Sequence, residues 1–310
     1  MIDMSDHNHT HAHSASNRIG WAFFLNVTFT IIELIGGWLT NSTAIMADAV
    51  HDLGDSISIG LAWLLNRLGN KPSDSAFTYG YQRFSLLGAL VNGFVLIAGS
   101  LWVLSMAIPR LFEPQQPHAV GMFWLALLGI AVNGYAAFKL SRGKTLNERV
   151  LNWHLLEDVL GWVAVLIVAI TLLFVDWPIL DPLLSITFTL FILFNVVRNV
   201  VTAGSLLLQG TPDKTLHTRV IEIFLGIEHV KEAHHVHLWS LDGESHVLTA
   251  HLLLGERLDT GKLIEMKSEI GRLLEAFNFS HTTVEFEFPD ESCRDGAAVT
   301  SEATCVLAQT

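Results

Sequence analysis

Two short runs place ionisable side chains inside stretches that are otherwise apolar. A-D-A-V-H-D-L-G-D carries Asp48, His51, Asp52 and Asp55, and N-W-H-L-L-E-D-V-L-G carries His154, Glu157 and Asp158. Each run contains one H-x-x-x-D pair: His51 with Asp55, and His154 with Asp158. Residues four apart are neighbours on a helix surface, so one imidazole and one carboxylate can reach a common ion. Two such helices supply four ligands of the kinds that hold zinc tetrahedrally, with no water needed to complete the set. The two carboxylates neutralise a dication and so remove most of the penalty of placing it in a low-dielectric interior. A single pair of this spacing on a soluble helix is ordinarily a surface ion pair, but two pairs inside membrane-type segments point to function. The same groups bind protons: imidazole titrates near about pH 6.5, and an emptied site with two close carboxylates attracts protons readily. Metal and protons therefore compete for one set of ligands, the physical basis for exchanging one against the other.

The elements that must position these groups are membrane helices. Of the 310 residues, 51% are of hydrophobic type and only 15% are charged, too apolar for an ordinary soluble chain. At about 20 residues per span, six are expected: Ile19 to Leu39, Ala44 to Leu65, Phe84 to Leu104, Met122 to Ala137, Leu151 to Phe174 and Leu183 to Leu207. Asp48, His51, Asp52 and Asp55 fall within an arc of roughly 100° on the second span, one polar stripe facing protein or water. Asp48, Asp52 and Glu33 are candidates for metal entry or proton handling. Asn26, Thr30 and Asn133 read as interhelical hydrogen-bond partners, and Asp181, just before Pro182, as a helix cap. Arg18, Arg67, Lys71, Lys139, Arg142, Lys144 and Arg149 fall on one side, which puts both termini in the cytoplasm. Arg110, at the other end of the third span, is the exception. The net charge of -12 excludes nucleic-acid binding, which needs clustered Lys and Arg, and favours a cation as partner.

Beyond Gly210 the periodicity changes. Leu216, Val220, Ile223 and Phe224 share one helical face, two strand-like runs follow around an Asp242-Gly243 turn, and a helix from Thr260 to Phe277 precedes a strand around Val284, Phe286 and Phe288. The order predicts two helices on one face of a three-stranded sheet. The chain thus divides into a His-rich N-terminal tail (1–17), a six-span domain (18–209), a small α+β, ferredoxin-like αββαβ domain (210–290) and a polar, disordered tail (291–310). Strand alternation sets His235 and His237 opposite Val236 and Leu238, and Glu285 and Glu287 opposite Phe286. His251 joins them only if its strand's register allows, and His234, His246 and His281 are weaker candidates. His7, His9, His11 and His13 form an alternating tract that either collects metal weakly or is a solvated tail. Cys293 and Cys305 match no standard metal motif.

These runs, together with F-T-Y-G-Y-Q-R-F before the third span and H-L-W-S in the terminal domain, resemble the cation diffusion facilitator family over nearly the whole chain. The resemblance implies a homodimer of six-span protomers, alternating access and proton-coupled efflux of a divalent metal from the cytoplasm. A His in both membrane pairs resembles the family's zinc type, with cadmium or cobalt also accepted and no organic cofactor. It also implies a cytoplasmic metal site at His237, His251 and Glu285. The loop N-R-L-G-N-K-P-S-D-S has no His, so the second metal that some relatives hold there is not expected. The compact loops favour a bacterial inner membrane. The rival readings, a membrane metalloenzyme or a metal receptor without flux, fit less well: four protein ligands leave no open coordination position, the chain lacks H-E-x-x-H, and receptors need no ligands at membrane depth.

Overall fold

The computed structural model describes residues 7–69, 71–141 and 146–295; the side chains of residues 7–22, 140, 146–151, 153 and 154, with several near Leu65, lie outside that description. Six long helices come first: α1 (His7–Thr40), α2 (Thr43–Gly69), α3 (Phe84–Phe112), α4 (Ala119–Leu140), α5 (Leu146–Phe174) and α6 (Leu180–Leu207). They are followed by α7 (Lys214–Leu225), β1 (Val230–Ser240), β2 (His246–Leu254), α8 (Thr260–Leu274) and β3 (Phe279–Glu287). Two compact units result, one taking the chain up to Leu64 with Val91–Val200, the other Leu65–Leu90 with the chain from Val201 onward.

In the first unit, α1, α3, α4, α5 and α6 are long and apolar enough to cross a bilayer. Helix α2 carries the acidic stripe instead, but its 27 residues reach about 40 Å at 1.5 Å per residue. Large apolar side chains such as Phe24, Trp124, Leu160, Phe191 and Phe194 stand exposed on the helix surfaces, as contact with lipid requires. The interior is built from Phe29, Ile45, Met122, Ala126, Trp162 and Val165. Trp162 lies so close to Gly129 that a Cβ there would overlap its indole; the glycine lets α4 and α5 approach.

Helices α1 and α2 meet at Asn41, whose φ of 54° is left-handed, a conformation that Asn tolerates better than most residues. Arg110 holds this corner, donating to the Asn41 carbonyl and to its side-chain Oδ1, both at 2.7 Å. That contact gives Arg110 a structural role at the end of α3. Asp181 does cap a helix, but not its own. It accepts hydrogen bonds from the Ser42 hydroxyl, the Thr43 amide at 2.7 Å and hydroxyl at 2.8 Å, and the Ala44 amide at 3.3 Å. The first turn of α2 contains no acidic residue, so α6 supplies the anion that its N-terminus favours.

In the second unit the sheet order is β1-β2-β3, with β1 antiparallel to β2 and β3 parallel to it. Val220, Phe224, Leu238, Leu248, Ala250, Leu252, Met266 and Ile270 form the core between the sheet and helices α7 and α8. Asp213 and Asp259 cap α7 and α8, accepting from backbone amides of the first turn. These match the expected elements and their order. The predicted alternation in β1 fails, because the strand bulges between His234 and His237, where His235 is left-handed at φ 47°. An inserted residue flips the facing of everything before it.

Candidate metal sites

On α2, His51 Nε2 stands 3.4 Å from Asp55 Oδ2, and both side chains are about a quarter exposed, at 26% and 22%. The four-residue spacing therefore does bring this pair together. Asp158 on α5 is buried, as are Asp52 and Glu33. Glu33 feels the charges of Asp52, Asp48 and Asp158, so α1, α2 and α5 converge on one acidic interior. A Cβ on Gly161, one turn beyond Asp158, would lie 3.7 Å from Asp48 Oδ1, which sets the α2 stripe against α5. His51 also lines a small cavity with Ser100 and Thr189. The backbone of His154 is helical; its side chain falls outside the described residues. Asn26 ties α1 to α2 through the Ser56 hydroxyl at 3.2 Å.

The N-terminal tract is not separate from the first span: α1 starts at His7, so the backbones of His9, His11 and His13 are helical too. Their side chains lie outside the described residues.

In the terminal domain the sheet itself decides which ligands meet. His251 pairs across the strands with His234 on β1 and Glu285 on β3, whereas His237 pairs with Thr249. His237 is exposed and His251 buried, so the expected trio of His237, His251 and Glu285 does not assemble; the bulge substitutes His234. Among the described residues, the grouped ligand atoms are those of His234, His251, Glu287 and Cys293, all within 4.8 Å of one another. Glu287 links the two imidazoles, its Oε1 2.8 Å from His251 Nδ1 and its Oε2 3.0 Å from His234 Nε2. Cys293 Sγ is 3.6 Å from the same His251 nitrogen. Burial alone would raise the Glu287 carboxyl, but hydrogen bonds from Cys293 and His251, with His234 alongside, hold it below the usual glutamate value. Burial, assisted by Glu287 and opposed by a hydrogen bond from the Asp295 backbone, holds the Cys293 thiol above its usual value. Glu285 sits at the margin, 3.8 Å from His251 Nε2 and bound to Arg294 at 2.9 Å. His235 packs its ring 5.1 Å from that of His251 without joining the grouped atoms.

Residues 21–208 match the family description "Cation efflux transmembrane domain". The chain belongs to the cation diffusion facilitator family. Residues 212–288 match that family's cytoplasmic domain. The family assigns cation efflux across a membrane, so this facilitator is an integral membrane transporter and not an enzyme. It is 32% identical over 287 residues to the "Cadmium, cobalt and zinc/H(+)-K(+) antiporter" of Bacillus subtilis (strain 168), covering 90% of this chain and 91% of that one. It is 33% identical over 294 residues to "Zinc transporter ZitB" of Pectobacterium atrosepticum, with 93% and 90% covered. "Metal cation efflux system protein CzcD" of Cupriavidus metallidurans is 30% identical over 284 residues, with 91% and 89% covered.

Two of the family-like motifs meet in the second unit of this facilitator. Tyr79 of F-T-Y-G-Y-Q-R-F sets its ring edge-on to Trp239 of H-L-W-S, 6.4 Å away, and to His281, 5.0 Å away. The loop that presents it is closed by Asp74, which accepts from the Ala76 and Phe77 amides and the Tyr81 hydroxyl. The hydrogen bond from Tyr81 foremost keeps the Asp74 carboxyl below its ordinary value.

Sequence reasoning missed Cys293 as a member of the cytoplasmic cluster and ranked His234 low. A cysteine a few residues past a strand that ends in Glu287 was the available signal for the first. For the second there was none, since a bulge leaves no mark in the hydrophobic pattern.

Proposed function

We propose that this facilitator exports divalent metal, with zinc as its principal cargo and cadmium or cobalt as alternates, in exchange for protons. His51, Asp55, His154 and Asp158 bind the metal. The observation that carries this reading is the repeated H-x-x-x-D pair on two membrane helices, with His51 and Asp55 3.4 Å apart and Asp158 buried among further carboxylates. The names of the relatives, which include zinc, cadmium, cobalt and proton exchange, support it.

The exchange follows from the ligands. A metal entering from the cytoplasm meets two carboxylates and two imidazoles, a set that neutralises its charge and matches zinc's preference. Once the site turns outward, protons compete for the same four side chains, release the metal and return with the site. Asp48, Asp52 and Glu33 form the acidic lining along which cation and protons pass. The protein works as a homodimer, with both termini in the cytoplasm of a bacterium and the helices in its inner membrane. His234, His251 and Glu287 replace the expected cytoplasmic trio as the regulatory metal ligands, and His7, His9, His11 and His13 collect metal for the path.

Zinc flux into vesicles, compared between the parent and Asp55→Ala or Asp158→Ala, tests the proposal. Both variants should fall to background; unchanged flux in both would defeat the assignment. Flux that neither moves protons nor responds to a pH gradient would sink the exchange mechanism. Removing residues 1–17 should weaken capture at low zinc and leave turnover at saturating zinc intact; complete loss would rule out a collecting role.

A further inference from the structure

The cytoplasmic cluster contains one group with no counterpart in the membrane site, the Cys293 thiol. We infer that Cys293 is the fourth ligand of a thiolate-bearing cation site formed with His234, His251 and Glu287, and that this site selects soft and borderline divalent ions, cadmium above zinc. The inference rests on the reading of His234, His251 and Glu287 as metal ligands.

The donor set fits. Two neutral imidazoles, one carboxylate and one thiolate balance a dication. With bonds of about 2.0–2.3 Å, tetrahedral zinc holds its ligand atoms about 3.3–3.7 Å apart. The Sγ to His251 Nδ1 distance of 3.6 Å is already the edge of such a tetrahedron. Glu287 reaches His251 through Oε1 at 2.8 Å and His234 through Oε2 at 3.0 Å, so a small rotation of the carboxylate and a widening of about half an ångström would set one of its oxygens at a tetrahedral corner. A metal entering between them replaces those contacts and releases the thiol proton to solvent.

The surroundings keep the set in place. His251 and Glu287 are buried at 8% and 6% exposure, on paired strands, which fixes two ligands. The tail is tied back by Arg294 to Glu285, which brings the thiol in from beyond the end of β3. Sulfur is the soft member of the set, and thiolate shifts a site's preference toward softer metals relative to imidazole and carboxylate alone. Metal binding therefore fastens the segment after β3 to the sheet, and the membrane site, with oxygen and nitrogen only, lacks that preference.

The test uses the full chain in detergent, kept reduced, with Cys305→Ser so that Cys293 is the only thiol of the two present. Cobalt should produce a sulfur-to-cobalt charge-transfer band that saturates at one thiolate per chain, and cadmium should displace it at lower concentration than zinc. Bound zinc should also slow maleimide alkylation of Cys293. His251→Ala and Glu287→Gln should each weaken the cobalt that gives the band by about tenfold or more. Cys293→His should retain the bound cobalt and lose the band, which guards against variants that simply misfold. A band unchanged in His251→Ala and Glu287→Gln, or alkylation indifferent to zinc, would overturn the inference. Absence of the band while zinc flux persists would overturn it too and leave the efflux reading standing. A band that survives Asp55→Ala, with flux abolished, supports two separate sites.

Discussion

Helix α2 brings His51 and Asp55 to 3.4 Å by spacing alone, whereas the cytoplasmic cluster draws His234, His251 and Glu287 from three strands and Cys293 from the segment beyond them. The proposed membrane set and the cytoplasmic cluster would each offer a metal two imidazoles and two groups able to carry negative charge. Helical ligands follow from the chain's own period, so a pair four residues apart stays a pair wherever the helix lies. Sheet ligands depend on how neighbouring strands align, and one extra residue in β1 puts His234 in place of His235 opposite His251. A single architecture thus gives one charge-neutral set that is robust to small changes in backbone and another that is sensitive to them.

The strongest way to break this contrast is to remove one ligand from each set. Asp158→Ala should abolish zinc flux, while His251→Ala should reduce it by less than about tenfold, the smaller effect expected of a supporting site. Equal losses in vesicle uptake would mean that the two sets are not separable in function.

The second test concerns what holds the helical set. Asp181 is buried and accepts four hydrogen bonds at the start of α2. Asp181→Ala leaves buried donors without an acceptor and should cost about 3 kcal/mol, read as a lower unfolding temperature in detergent. Asp181→Asn, which keeps an acceptor, should lose less; equal losses would assign the effect to charge alone.

The third concerns the bulge. The bulge is what sets His234 opposite His251, so His234→Ala should weaken metal binding at the cytoplasmic cluster by about ten- to a hundredfold. Calorimetric titration in an Asp55→Ala background checks this, and unchanged affinity would show that His234 is not a ligand.

The fold was legible wherever one local period decided it. Six apolar runs became six helices, and the αββαβ order followed from a change of periodicity. Ends were less legible. Helix α3 continues past Leu104 to Phe112 with Pro109 inside, because a proline near the end removes only one hydrogen bond of a long ladder. The tail assigned from residue 291 in fact folds back through Cys293 and Arg294. Asp181 was recognised as a cap but not as the cap of α2, since its partners lie about 140 residues away in sequence. Pairings of that kind come from packing, which no local pattern reports.

The smallest effect is electrostatic. Arg257 donates to Asp290, Nε to Oδ1 at 3.1 Å, and this hydrogen bond foremost holds the Asp290 carboxyl below its ordinary value. The stabilisation is present above that ordinary value, about 3.9, and is lost as pH falls through the lower folded-state value. Arg257→Ala should therefore unfold slightly more easily than the parent near neutrality, and the gap should close in acid. A gap that widens on acidification would reverse the assignment.

The Asp181 cap also orders the assembly of the protein in time. Helix α2, with its acidic stripe, is the long helix least suited to lipid, and its first turn lacks an anion of its own. The carboxylate that completes it belongs to the sixth helix, which leaves the ribosome last of the six. Until that helix is inserted, the amides of Thr43 and Ala44 lack this acceptor, so the second helix to be made is completed only by the sixth.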